Sequence, residues 1–508
     1  MHYFLGIDVG TYSSKGVLTD ESGKVVSRAV THHGMENPEP GYYEQDADKV
    51  WWNDFCILSK ILLQQSGVEP EKIACVGGST LGADCLPVDK DGHPLRKAIL
   101  YGIDARCVEE MEYLSQYYGT EKVKKLFGRP ICSGDVSAKI LWIKNHEPEV
   151  YRRTHKFLTG SSYLTFKLTG KYVIDTFLGM ASFRPLYYPD GSIHKEMCKP
   201  ICMPEQLAEG MPVTHICGTV TKQAAKETGL KEGTPVITGT GDSAAEAISV
   251  GVLAPGDLMV QFGSSLFFYC CADRLIQDER VRGNPFLIPE TYSVAAGTNN
   301  GGTLQKWYLE QLFSECLEKE KTAGLNAYEE MMKGISEISP GSDGLITLPY
   351  FAGERTPLND PDARGMIVGL SLSHTKRHLY RSALEGIGYS VAQHIDIFRE
   401  NGLPVNRIAA AGGGTKNAVW MQMVADIAGV SLETPKEDIG AAYGDALMAA
   451  IGVGFYQGFS DLRQVIQKKC IYKPDLERHE LYKPFRKLFD ELYRCNQEIL
   501  HSLSKHNK

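Results

Sequence analysis

No C-x-x-C pair occurs in the chain, although thirteen cysteines are scattered through its 508 residues. An odd, scattered set offers no disulfide framework, so reduced thiols in a cytoplasmic protein are the expectation. Cys270-Cys271 lies inside an apolar run, where thiols act as small hydrophobes. Also missing are an apolar run long enough to cross a bilayer and an early basic stretch leading into a short apolar one. The chain has no basic excess: its net charge of −8 argues against nucleic acid or an anionic membrane as partner. None of the fourteen histidines shows metal-ligand spacing with cysteine or carboxylate, which argues against a zinc site. Low-complexity segments are absent as well. What is present is ordinary globular composition, 43% hydrophobic and 23% charged, at a length that calls for two large domains.

The first positive signal is "FLGIDVGTYSSKGVL", Phe4 to Leu18. An apolar run ends at Asp8, a Gly10-Thr11 turn carries hydroxyls at Thr11, Ser13 and Ser14, and a second β-like run follows with Lys15 at its start. The next turn, Glu21-Ser22-Gly23, leads into another strand, so the opening reads as a β-hairpin. A dinucleotide fingerprint needs a helix directly after its glycines, and the hairpin excludes that reading. Any anion held here is met by backbone N–H groups, hydroxyls and Lys15. Asp8 serves either as a turn former or as a carboxylate for hydrated Mg²⁺.

"PGDLMVQFGSSLFFYCC" repeats the pattern of strand, Gly263-Ser264-Ser265 turn and strand. Two such hairpins one domain apart predict a duplicated α/β architecture with a ligand between the halves. Three further stretches read as strand, glycines and helix. "TPVITGTGDSAAEAISVG" places Asp242 after Gly239 to Gly241 at the start of an alanine-rich helix. That carboxylate is either a helix cap or a base for a substrate hydroxyl. "SVAAGTNNGGTLQKW" opens into a helix at Thr303, and "RIAAAGGGTKNAVWMQMVADIAG" into one near Asn417, a polar contact for a nucleotide seated on the triple glycine. "GAAYGDALMAAIGVG" is a small-residue helix able to approach backbone closely. Leu481, Phe485, Leu488, Phe489, Leu492, Ile499 and Leu500 predict one face of a terminal helix docked on the body. A base, cations for phosphates and precise positioning are the parts phosphoryl transfer needs.

From Tyr3 to Gly454 the chain resembles the FGGY carbohydrate kinases, closest in pattern to their xylulokinase members. "GMIVGLSLSHTKRHLYRSALEG" is similar to the family's C-terminal signature and "KILWIKNH" to its N-terminal one. "PGYYEQDADKVWW" and "GERTPLNDPDARG" also have counterparts there. The resemblance implies a duplicated actin-like ATPase (ribonuclease H-like) fold, with two domains around a central cleft: residues 1–247 on the sugar side, and residues 248–508 on the nucleotide side with the terminal docking helix. It implies transfer from ATP, with Mg²⁺, to a hydroxyl of a small sugar, first a pentulose. Another ketose, an aldonate, a polyol or a catalytically silent regulatory binder are the alternatives, and a homodimer is left open. Carried over by position, Asp242 matches the catalytic base and Asp8 the metal-linked carboxylate. Gly10, Thr11, Ser13 and Lys15 match the first phosphate loop, and Gly263 and Ser264 the second. Gly302, Gly413 and Asn417 match the nucleotide side.

The departures concern the substrate. Where xylulokinases have Gln-Met-His-Gly, this chain has Leu81-Gly82-Ala83-Asp84, which removes hydroxyl-reading side chains and predicts a roomier pocket of altered specificity. Thr80, Asp84, Asp104 and Asp135, with Asp242, are the candidate substrate contacts; a surface or capping carboxylate is the alternative for each of Asp84, Asp104 and Asp135.

Overall fold

The computed structural model describes residues 1–127 and 129–506. In the first half, β1 (Tyr3–Val9), β2 (Ser13–Asp20) and β3 (Val25–His32) form an antiparallel meander. Helix α1 (Asn53–Ser66) then leads to β4 (Ile73–Thr80), which pairs parallel with β1. Helix α2 (Gly160–Thr169) precedes β5 (Ile216–Thr219), β6 (Pro235–Ile237), the two-residue β7 (Thr240–Gly241) and α3 (Asp242–Ser249). The strand order is β5-β6-β4-β1-β2-β3, with β7 also paired to β4.

The second half repeats this plan. Strands β8 (Leu258–Phe262), β9 (Leu266–Ala272), β10 (Arg282–Pro285) and β11 (Tyr292–Gly297) precede helix α4 (Gly302–Leu312). After the long α5 (Lys376–Glu400) come β12 (Arg407–Ala411), α6 (Ala418–Ala428), β13 (Ser431–Pro435), α7 (Ala441–Gly452), β14 (Lys468–Tyr472) and α8 (Leu476–Ser504). Its sheet order is β10-β11-β9-β8-β12-β13-β14. Set side by side, β1, β2, β3, β4, β6 and β5 correspond to β8, β9, β11, β12, β13 and β14, with the same parallel and antiparallel pairings. This is the duplicated two-domain α/β architecture expected from the repeated hairpin.

Each sheet carries its own core. Phe4, Leu5, Ile7, Val9, Val76 and Phe55 belong to the first, and Leu258, Val260, Phe262, Leu384 and Val424 to the second. Burying each such side chain contributes about 1.5–3 kcal/mol. Helix α7 belongs to the second half by sequence, yet it lies on β1 and β4 of the first. It does so because the strands present Gly6 and Gly77: a Cβ on Gly6 would stand 2.0 Å from the Ala442 carbonyl oxygen, and one on Gly77 2.5 Å from that of Asp445.

Helix α8 docks on the second half as expected through Phe485, Phe489, Leu492 and Leu500, but the buried face is shifted toward its tyrosines. Tyr482, Phe489, Tyr493 and Leu500 are buried, whereas Leu481, Leu488 and Ile499 are about half exposed. Tyrosine combines a large apolar body with a polar tip. The Tyr482 hydroxyl donates to buried Glu385 (3.0 Å) and that of Tyr493 to Asp360, which selects the aromatic face.

Candidate active site

Register brings the key carboxylates to one end of the first sheet. Asp8 on β1 stands beside Ser79 on β4, and Ser79 beside Thr240 on β7; Asp242 follows as the first residue of α3. Lys15 on β2 is the cross-strand partner of Asp8. One turn along α3, Glu246 accepts two hydrogen bonds from Gln261 Nε2 (2.9 and 3.0 Å) on β8 of the other half. Lys15 Nζ and Glu246 Oε1 both approach the open side of Gly440, 3.7 and 3.8 Å from where its Cβ would stand. Burial, followed by the charge of Asp242, pushes the Asp8 carboxyl up to about 8. Burial likewise lifts Asp242 to about 6 and, with Asp242 nearby, Glu246 to about 7. Three carboxyls crowd one lysine, and each would release its proton more readily beside a further cation. Hard oxygen donors around a cationic deficit fit Mg²⁺.

The Gly10–Ser13 turn is braced from below. Gly10 N–H donates to Ser13 O (3.1 Å), and Gly10 O accepts from His33 Nε2 (2.9 Å). His33 Nδ1 lies 2.8 Å from Asp54 Oδ2, which also accepts from the Ser14 hydroxyl (2.7 Å). Burial alone would lower the His33 pKa, but the bonds to Asp54 and Gly10 outweigh it and raise it, and both ring nitrogens face oxygen acceptors. Gln45 Nε2 donates to Thr11 O (2.9 Å), and the Thr11 hydroxyl meets that of Tyr101 at 3.4 Å.

In the second half, the Gly263–Ser265 turn joins β8 to β9 and rests on the start of α4. Gly302 N–H donates to Gly263 O (2.8 Å) and Thr303 N–H to Ser264 O (3.0 Å). The Arg355 guanidinium lies over this loop, donating to Thr298 O (2.6 Å) and reaching Ser265 Oγ (3.4 Å). At the end of β12, Gly412 has φ +87° and faces Phe262 O, which a Cβ would meet at 2.9 Å; only glycine allows both. Next to it, Gly413 is exposed with nothing within 4 Å of its Cβ position. Asn417 caps α6, its side-chain oxygen accepting from Trp420 N–H (3.0 Å).

The structure therefore brings together Asp8, Gly10, Thr11, Ser13, Lys15 and Asp242 around one loop, and Gly263, Ser264 and Gly302 around the other. Three expected substrate contacts have partners within the protein. Asp104 is enclosed and saturated by Arg106, in a 2.8 Å ion pair, and by Tyr43 N–H. Asp135 is held bidentately by Arg129, at 2.7 Å twice, and by Cys132 N–H. Arginines two and six residues away in sequence consume both carboxylates. The Thr80 hydroxyl turns to Leu81 O and packs on Gly160 of α2. Asp84 is different: it is fully enclosed, neither oxygen has a hydrogen-bond partner among the described residues, and burial raises its pKa well above its ordinary value, with the charge of Lys139 opposing the shift and that of Asp242 adding to it. Gly82 is packed closely, and a Cβ there would meet Leu178 Cδ2 at 3.2 Å.

The expectation that no histidine sits with metal-ligand neighbours needs correcting too: ligand atoms of Asp89, Asp91 and His93 lie within 4.8 Å of one another. Asp89 already accepts the N–H groups of Asp91 and His93, so the group is a surface turn. Sequence reading missed Ser79, Glu246, Arg355 and Asp445. Helical spacing from Asp242 could have pointed to Glu246; the other three are revealed only by contact.

Comparison with known proteins identifies the family. Residues 3–249 match the model of the FGGY family of carbohydrate kinases, N-terminal domain, and residues 258–453 its C-terminal domain. The chain is 30% identical to a xylulose kinase of Staphylococcus epidermidis over 502 residues, covering 97% of each. It is 28% identical to a gluconokinase of Bacillus licheniformis, covering 97% of this chain and 96% of the other. The crystal structure of xylulose kinase from Rhodospirillum rubrum superposes with a TM-score of 0.87 at 27% identity, over 98% of this chain and 100% of that one. The chain belongs to the FGGY family of carbohydrate kinases.

Proposed function

We propose that this sugar kinase transfers the γ-phosphoryl group of ATP to a hydroxyl of a small neutral sugar, first a pentulose, with Asp242 as base. The observation that carries the reading is Asp242 at the head of α3, facing the charge of Lys15 beside the first glycine-hydroxyl loop, while Glu246 one turn on is bound by Gln261, two residues before the second loop. Ser243 N–H occupies Asp242 Oδ1 (2.7 Å), which leaves Oδ2 for the substrate hydroxyl. As the bond between γ-phosphorus and the β,γ-bridging oxygen breaks and the sugar oxygen bonds to phosphorus, the hydroxyl proton passes to Asp242. Lys15 and the first loop meet the phosphates from one side, Ser264, with Arg355 above its loop, from the other. Gly302, Gly413 and Asn417 line the nucleotide side. Mg²⁺, when bound, would offset phosphate charge, with Asp8 and Glu246 as its oxygen donors. Asp8, Asp242 and Glu246 already crowd one lysine, and an aldonate would add a further negative charge beside them.

A coupled ADP-release assay across pentuloses, hexuloses, aldonates and polyols tests this. A Mg²⁺-dependent signal with a neutral ketose is expected. A signal confined to aldonates would overturn the substrate class. None above background hydrolysis would leave the silent regulatory reading in its place.

A further inference from the structure

One serine hydroxyl serves two carboxyls at the base of this site. Ser79 Oγ lies 3.2 Å from Asp8 Oδ1 and 2.6 Å from Asp445 Oδ2. A hydroxyl has a single proton to donate, and two ionised carboxylates offer only acceptors. With both acids ionised, one of these contacts would set lone pair against lone pair. A proton on one acid resolves the conflict, because that acid then donates to Ser79, and Ser79 donates to the other.

Enclosure decides which acid carries it. Asp445 on α7 is 0% exposed, makes no ion pair among the described residues, and its second oxygen has no hydrogen bond. A bare charge there would be severely penalised, whereas a neutral carboxyl leaves only a carbonyl-like oxygen unmet. Asp8 is 7% exposed, has Lys15 across the strand pair, and is the acid that a cation in the site would hold ionised. We propose that Asp445 is a positioning residue for Asp8: held neutral, it donates its proton from Oδ2 to Ser79 Oγ, which turns the Ser79 hydroxyl onto Asp8 Oδ1. One oxygen of Asp8 is thereby fixed and the other left for a ligand. The inference rests on the kinase reading in taking Asp8 as the metal-side carboxylate.

The test uses full-length Asp445→Asn, Asp445→Ala and Ser79→Ala beside the unaltered protein. Each is measured for ADP affinity with and without Mg²⁺ by calorimetry, for the Mg²⁺ requirement and kcat of turnover, and for sugar KM. An asparagine amide donates as the neutral acid does and cannot ionise, so Asp445→Asn should stay within about threefold throughout. Asp445→Ala and Ser79→Ala should weaken Mg²⁺-dependent ADP binding about 10–100-fold, the usual effect of removing a group that orients a metal ligand. Their Mg²⁺-free ADP affinity and sugar KM should not move. If Asn proves as damaging as Ala, a charge is needed at 445 and the proposal is overturned. Unchanged Mg²⁺ dependence in Ser79→Ala overturns it equally, and that variant decides the matter should Asp445→Ala fail to fold. If the unaltered protein phosphorylates no sugar, the kinase reading falls while the calorimetry still decides the relay.

Discussion

At the scale of single residues, the site works by placing carboxyls where ionising them is costly. Asp242 is lifted to about 6 chiefly by burial, only partly offset by Ser243 N–H and Lys15. A base must be unprotonated, so turnover should rise as pH increases through about 6 and level off above it. Replacing Asp242 by Ala should cost about 10²–10⁴-fold in kcat, the usual worth of a positioned base, while ATP affinity stays within a few-fold. Steady-state kinetics across pH would check both, and near-normal turnover in that variant would falsify the role. Asp242 was legible because a carboxylate after Gly-Thr-Gly at a helix start is a local pattern. Asp104 and Asp135 show the limit of such patterns: in sequence, a carboxylate locked to arginine looks the same as a free one.

At the scale of elements, glycines decide how closely α7 can approach. Gly444 faces α3, and a Cβ on it would stand 2.0 Å from the Ala245 carbonyl oxygen. Backbone cannot swing aside as a flexible side chain can, so Gly444→Ala should destabilise by about 1–3 kcal/mol, the range for overpacking a filled interior. Scanning calorimetry should show a fall in Tm of a few degrees; an unchanged Tm would mean that α3 and α7 yield at no cost. The strands, turns and small-residue helices of this packing were readable from apolar runs and glycine clusters. The docked face of α8 was only half readable, because periodicity ranks leucine with tyrosine and cannot foresee that Glu385 and Asp360 wait beneath for hydroxyl donors.

For the whole molecule, two copies of one topology each present a glycine-hydroxyl loop, and in the proposed function both meet the phosphates. Grip therefore requires the halves to approach, as in hinge closure around a ligand. Small-angle scattering should show a smaller radius of gyration with a non-hydrolysable Mg²⁺–ATP analogue plus sugar than without ligand. Asp242→Ala should close as fully, because it lacks the base and not the loops; a radius insensitive to ligands in both proteins would count against closure. By itself the sequence determined what is local: paired hairpins, glycine turns, and acids at strand ends and helix starts. Tertiary structure alone decided which acids are paired, which are left bare, and that Asp445 reaches Ser79 across 366 positions of chain. The physical reason is range. Turn chemistry and periodicity act over a few residues, whereas protonation and metal-ligand geometry follow from burial and contact, which exist only once α7 has settled on the opposite sheet.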